Sequence, residues 1–177
     1  MAVLTRIETP VGTIIASSDG QSLTGLWFEG QKYECSFVED PVLDDSLPLW
    51  KNVKHALEEY FQGVGDVAPA VPIAFVGGTA FQKAVWDVLT EIPYQTVWTY
   101  KDVAERIGEK LGRKTSSRAV GTAIGRNPIS LFVPCHRVVA TTGALTGYAG
   151  GVERKRALLT LEGHSVVKDR VMKGERH

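Results

Sequence analysis

The sequence predicts an α+β fold. A small strand-rich N-terminal domain, a three-stranded antiparallel sheet plus a helix, precedes a mainly helical C-terminal domain with a helix-turn-helix. Three observations predict it: β-rich stretches divided by Gly-containing turns fill residues 3–28, helical spacing of apolar residues starts only at Leu49, and a Gly/Pro-rich segment at 63–78 separates the two regimes. The expected domains are residues 1–78, including the linker, and 79–177.

Val3–Ile7 alternates, Thr9-Pro10-Val11-Gly12 turns, and Thr13–Ala16 is β-rich. Ser18-Asp19-Gly20 turns again, and Leu23–Phe28 makes a third strand. Residues 38–46 read as an acidic loop. Leu49, Trp50, Val53, Ala56, Leu57, Tyr60 and Phe61 recur at helical spacing, and Gly63 ends that run. Gly63, Gly65, Pro69, Pro72, Gly77 and Gly78 mark the linker.

Thr79 to Gln82 has capping-box form, and Phe81, Ala84, Val85, Val88 and Leu89 give the following helix its buried face. Ile92-Pro93-Tyr94 stops it. A second box starts at Thr99, with Asp102 three residues on. Tyr100, Val103, Ala104 and Ile107 form a stripe that Gly108 is expected to close. Residues 109–115 read as a basic loop. Ser116 or Ser117 caps the next helix, Arg118 to Gly125, which Asn127-Pro128 breaks. After a Gly-rich loop from Gly143 to Gly151, a last helix runs from Val152 to Glu162, with Gly163 at its C-cap.

The 177 residues, 44% hydrophobic and 23% charged, are those of an ordinary globular protein. No apolar run approaches the ~20 residues of a membrane span, and the first residues lack a signal-peptide pattern. Two cysteines, Cys35 and Cys135, exclude a disulfide scaffold and point to a reducing, cytoplasmic setting. The scattered His55, His136, His164 and His177 form no zinc-type cluster, so no metal site is expected. The net charge is zero, yet residues 1–78 carry 4 Lys/Arg and 11 Asp/Glu (4 − 11 = −7) against 16 and 9 (16 − 9 = +7) in residues 79–177. That asymmetry fits a polyanion partner for the second half. It fits equally two halves that attract each other.

Two features carry chemistry. In the second helix of the pair, Ser116, Ser117, Ala119, Gly121, Thr122, Ala123 and Gly125 are small, and the long polar side chains are Arg118 and Arg126. Small residues allow close approach, either to a narrow minor groove or to a neighbouring helix. On the first reading, Lys110, Arg113 and Lys114 add phosphate contacts with little sequence preference. The other feature is "PCHRVV", residues 134–139. A lone cysteine is most often buried and inert. Here His136 is adjacent, Arg137 follows, and Glu162 ends the last helix, which is the composition of a thiol activated by a histidine that a carboxylate orients.

With "VWTYKDVA", "SRAVG", "GRNP", "PCHRVV", "GALTGYAGG" and "LEGH" in order from Thr79 to Gly163, the chain resembles the O6-alkylguanine-DNA alkyltransferases (methylated-DNA–protein-cysteine methyltransferases). Residues 1–78 match loosely; the resemblance implies a ribonuclease H-like N-terminal domain there. It implies that Cys135 accepts the alkyl group, that His136 deprotonates it through a water and that Glu162 holds the histidine. Tyr148 donates a hydrogen bond to the departing guanine, and Asn127 braces the active-site turn. The backbones of Cys135, Val138 and Ala149 border the base, and Pro134 belongs to the same pocket. Tyr100 presses on the phosphate of the flipped nucleotide, and Arg118 enters the stack where the base was. Ser117, Ala119, Thr122, Ala123 and Arg126 join the DNA face.

The implied partner is double-stranded DNA containing O6-alkylguanine, with O4-alkylthymine as a second substrate. The implied protein uses no cofactor, binds no membrane and is a monomer, with cooperative assembly on DNA as an alternative. The loop "GEKLGRKTS" is longer than the 3–4 residues of an ordinary helix-turn-helix, and Ala149 stands where some members have serine. Cys35, His55, His164 and His177 match no functional position and read as structural or surface residues. Two competing readings are a cysteine hydrolase using Cys135, His136 and Glu162, and a DNA-lesion-binding relative that transfers nothing.

Overall fold

The computed structural model describes residues 2–67 and 70–172 and divides into two compact units. Met1–Gly78 and Pro128–Phe132 form one; Thr79–Asn127 and Val133–His177 form the other. Pro69 of the linker and His177 lie outside the described residues.

The first unit is a four-stranded sheet in the order β3-β2-β1-β4, with β1 at Ala2–Thr9, β2 at Gly12–Ser18, β3 at Leu23–Phe28 and β4 at Pro41–Leu43. The three predicted strands pair antiparallel, from Val3 opposite Ser18 to Thr9 opposite Gly12 and from Ile14 opposite Phe28, with an irregularity at Ser17/Ser18. β4 pairs parallel with β1 and lies inside the stretch expected to be a loop. Its three residues are all exposed, so no apolar pattern announces it. The free edge of β3 is covered by chain: Leu23 bonds to Pro72 and Ala74, and Leu26 bonds to Pro128 and Ser130. The second of these pairings draws residues 128–132 out of the helical half. Helix α1, Leu49–Phe61, buries Trp50, Val53, Ala56, Leu57 and Tyr60 at the predicted spacing.

In the second unit, α2 is Ala80–Leu89, β5 is Trp98–Thr99, α3 is Tyr100–Leu111, α4 is Ser117–Gly125, β6 is Val138–Val139 and α5 is Val152–Leu161. Both capping boxes are formed, at Thr79 with Gln82 and at Thr99 with Asp102. Ser116 caps α4 by accepting from the Ala119 N–H at 3.0 Å. α3 runs to Leu111 rather than stopping at Gly108. The left-handed residue is Gly112 (φ 68°), and Gly112 and Arg113 both donate to the Gly108 carbonyl. Gly108 serves a different need: a Cβ there would stand 3.1 Å from the Arg113 carbonyl oxygen, where the chain turns back over the helix. The connection from α3 to α4 is therefore residues 112–116, shorter than the sequence implied. β5 and β6 pair parallel, Trp98 with Val138 and Thr99 with Val139, and so align the start of α3 with the chain leaving "PCHR".

Candidate active site

Cys135–Arg137 form one 3₁₀ turn, entered through Pro134 and left through β6. Pro134 is itself buried, and the Arg137 N–H closes the turn on its carbonyl at 3.0 Å. So tight a turn drives three consecutive side chains inward: Cys135 is 7%, His136 0% and Arg137 1% exposed. Asn127, two residues past the end of α4, donates from Nδ2 to the Val133 carbonyl at 2.8 Å and also bonds the Cys135 side chain. It thereby ties the end of α4 to the chain that enters the turn.

Glu162, the C-cap residue of α5, gathers the rest. His136 Nε2 lies 2.6 Å from Glu162 Oε2. Arg137 donates from Nε to Oε1 at 2.8 Å and from a terminal nitrogen to Oε2 at 3.2 Å. The Gln95 N–H adds a bond to Oε1 at 3.2 Å, aimed there by a backbone in the left-handed region (φ 67°). Arg137 also donates to the Ile92 carbonyl at 3.1 Å and stacks over Tyr94, 5.6 Å from the ring centroid. Burial alone would raise the Glu162 pKa; the charges of and bonds from His136 and Arg137 outweigh it and hold the carboxyl well below the usual range. The carboxylate therefore accepts, the His136 Nε2–H donates, and Nδ1 is the basic nitrogen of that ring.

Burial pushes the Cys135 thiol up, while the Asn127 side chain and the Lys155 charge pull it back. The resting sulfur is thus a thiol that needs a proton acceptor before it can attack. Val138 is fully buried, and Tyr148 and Ala149 are half-buried. Tyr100, the first residue of α3, donates from its hydroxyl to the Thr146 carbonyl at 3.0 Å. Burial raises its pKa, the Thr146 bond works against that, and the charge of Cys135 adds to it. Tyr100 therefore stands within electrostatic reach of the sulfur.

On α4, Ser117, Arg118, Ala119 and Thr122 are exposed, and Arg126 at the C-cap is half-buried. Ala123, grouped with them by size, is 3% exposed, and its carbonyl accepts from the Trp86 indole at 2.9 Å. It packs α4 against α2 and is removed from the exposed face. Arg113 and Lys114 are exposed in the 112–116 connection, with Arg113 over the Phe81 ring. Lys110 lies on α3 and pairs with Glu91 at 2.5 Å, so part of its charge is already neutralised. Of the residues placed outside the site, His55 pairs with Glu59 at the surface, His164 is buried and Cys35 is half-buried. Among the described residues no group of three or more His, Cys, Asp or Glu could hold a metal ion.

Sequence reasoning gave no role to the guanidinium of Arg137, to Gln95 or to Lys155. Lys155 is 1% exposed on α5. Its signal was present: it shares one helical face with the buried Leu158 and Leu159, three and four residues on.

Residues 80–164 match the family described as "6-O-methylguanine DNA methyltransferase, DNA binding domain", and residues 3–75 match the "6-O-methylguanine DNA methyltransferase, ribonuclease-like domain". A methylated-DNA–protein-cysteine methyltransferase of Haemophilus influenzae is 41% identical over 160 residues, spanning 89% of this chain and 84% of that protein. One of Methanosarcina acetivorans is 40% identical, spanning 88% and 95%. Mycobacterium tuberculosis OGT, solved in complex with DNA, superposes with a TM-score of 0.80 at 38% identity, covering 90% of this chain and 92% of that one.

Proposed function

The chain belongs to the 6-O-methylguanine DNA methyltransferase family, and from that premise we propose that it repairs DNA by direct reversal, moving the alkyl group of O6-alkylguanine onto Cys135 once per molecule. The observation that carries the reading is the buried set in which His136, bonded to a Glu162 that His136 and Arg137 keep ionised, follows a buried thiol in one 3₁₀ turn.

The chemistry follows from the bonds. Cys135 gives its proton to His136 through a water; Glu162 orients the ring and stabilises its positive charge. The sulfur attacks the alkyl carbon, an S–C bond forms and the C–O6 bond breaks with its electron pair on the guanine. The guanine takes back one proton, with Tyr148 donating a hydrogen bond to the leaving ring, so the products are neutral guanine and a Cys135 thioether. A thioester could be cleaved by water at its carbonyl. A thioether offers no such carbon, so the protein is consumed. This separates the reading from a cysteine hydrolase, which would turn over.

The target atom lies inside a duplex, so the base must be rotated out at a cost of a few kcal/mol, least for a damaged, poorly paired base. α3 and α4 act as the helix-turn-helix. Arg118 fills the vacated stack while Ser117, Ala119 and Thr122 allow close approach. Arg113 and Lys114 meet phosphates, and Tyr100 presses on the phosphate of the flipped nucleotide. M. tuberculosis OGT was solved with DNA, which supports double-stranded DNA as the partner here. O4-alkylthymine is a second substrate of the same pocket, bordered by Pro134, Val138 and Ala149.

Mass spectrometry after mixing with a duplex containing O6-methylguanine tests this. One methyl mass should appear on the Cys135 peptide, and none in Cys135→Ser; repair of excess duplex by a trace of protein would overturn single use. Arg118→Ala should slow repair of duplex while leaving reaction with free O6-benzylguanine unchanged. Equal losses on both substrates would remove the wedge role.

A further inference from the structure

Resting on the reading of Tyr148 as the hydrogen-bond donor to the departing guanine, we propose that Asp169 is a positioning residue for the transfer. It builds the turn of a C-terminal hairpin that clamps the stem of the loop carrying Tyr148.

Residues 165–172 lie beyond Glu162 and beyond residue 164, where the DNA-binding-domain match ends. They double back as a short antiparallel hairpin. Val166 pairs with Val171, and the Met172 N–H donates to the Ser165 carbonyl at 3.1 Å. Val167 and Arg170 exchange two backbone bonds, at 3.0 and 3.1 Å, across Lys168 and Asp169. Both central residues are left-handed (φ 52° and 56°), as a type I′ hairpin turn requires. Aspartate visits that region more readily than most side chains, and a β-branched residue is a genuine outlier there.

The returning arm of the hairpin pairs with the loop. The Leu145 N–H donates to the Asp169 carbonyl at 2.8 Å, and the Val171 N–H donates to the Gly143 carbonyl at 2.9 Å. Between these bonds Ala144 stands antiparallel to Arg170. Val171 is fully buried in one core with Leu145, Leu159, Val97 and Val139. Asp169 also reaches α5: its carboxylate accepts from Arg156 Nε at 2.7 Å. That ion pair is nearly half exposed and contributes little by itself. The two backbone bonds and the buried Val171 carry the clamp.

Past Leu145 this pairing ends. Thr146 and Gly147 are exposed, and Tyr148 comes three residues after Leu145. Where the stem sits therefore sets where the Tyr148 hydroxyl meets the guanine. The set of His136, Glu162 and Arg137 is held by its own bonds. The clamp thus acts on the handling of the leaving group and not on the arming of the thiol.

The test separates those two. In the full chain, methyl transfer from duplex O6-methylguanine is timed beside Cys135 labelling by iodoacetamide, a reaction that needs the thiol and no guanine. Asp169→Val, which the left-handed turn does not accommodate, should slow transfer about tenfold or more. The pH profile and rate of iodoacetamide labelling should stay where they were. Asp169→Asn, which keeps the turn, should restore most of the transfer rate. Unchanged transfer in Asp169→Val overturns the proposal, and so does a fall in transfer matched by an equal fall in labelling. Should Asp169→Val not fold, Val171→Ala, which shortens only the buried anchor, carries the same expected split and the same overturning results. A wild-type chain that transfers no methyl group would instead overturn the proposed function. Faster hydrogen exchange at the Leu145 amide in the variant would then still support the clamp, and equal exchange would overturn it.

Discussion

Among the described residues, the buried polar side chains of the first unit are Thr5, Ser17, Ser18, Thr24, Gln31 and Ser130; none of them ionises. The second unit buries His136, Arg137, Lys155, Glu162 and His164. Yet it is the first half that carries 11 Asp/Glu, and every described one lies at or near the surface. The first unit solves its interior with apolar side chains and hydroxyl pairs such as Ser17 with Thr24 at 3.0 Å. The second accepts several desolvated charges in one place. Buried charge is costly wherever it sits, so the ionisable set of His136, Arg137 and Glu162 beside the Cys135 turn singles that turn out as the candidate site.

The most severe way to break this contrast is Glu162→Gln. It leaves Arg137 buried without its carboxylate, at a cost of about 3–5 kcal/mol in urea unfolding. It also slows methyl transfer about 10²–10⁴-fold by loosening His136. The sign of the pH dependence is fixed by the lowered folded pKa. The wild-type advantage is complete above the ordinary carboxyl value of 4.5 and shrinks as pH falls below it. A stability difference that stays constant from pH 7 to pH 3 would show that Glu162 is not held ionised.

The matching change in the first unit is Gly25→Ala. A Cβ at Gly25 would stand 2.0 Å from the Trp27 ring and 2.5 Å from Ser17 Oγ, inside a buried strand. Overpacking of this kind costs about 1–3 kcal/mol. It should leave the pH profile of Cys135 labelling where it was; a shifted profile would mean that the first unit tunes the thiol.

The smallest effect sharpens the surface half of the comparison. Arg113→Gln and Lys114→Gln should each flatten the salt dependence of DNA binding, by a slope of about 0.9 for each phosphate no longer neutralised. Lys110→Gln should change it less, because Glu91 already holds that ammonium. Equal slopes for all three would mean that the ion pair opens on DNA.

The sequence was most legible where one residue type answers one local requirement. Thr79, Thr99 and Ser116 were readable as helix starts because the cap is made within three residues of chain. β2 and β3 were readable because their apolar runs are buried. Cys135, His136 and Glu162 could be named from motifs; the structure bonds His136 to Glu162 and buries Cys135 in the same turn as His136. What stayed hidden depends on distant partners. β4 is held by backbone pairing to β1 and has no buried face. Gly108 looks like a helix end, while the chain uses it for clearance from Arg113. Arg137 and Lys155 carry charges that ordinarily mean surface, and acceptors contributed from Ile92, Glu162, Val138 and Thr146 help make their burial tolerable.

The bond from the Gln95 N–H to Glu162 spans 67 positions of chain, and Glu162 follows every other member of the set in sequence. Cys135 therefore enters the growing chain ahead of Glu162. A chain halted ahead of α5 holds Cys135 without the Glu162 carboxylate that bonds the His136 ring. A truncation ahead of α5 would thus keep the whole nucleophile turn and remove the one carboxylate on which His136, Arg137 and Gln95 converge.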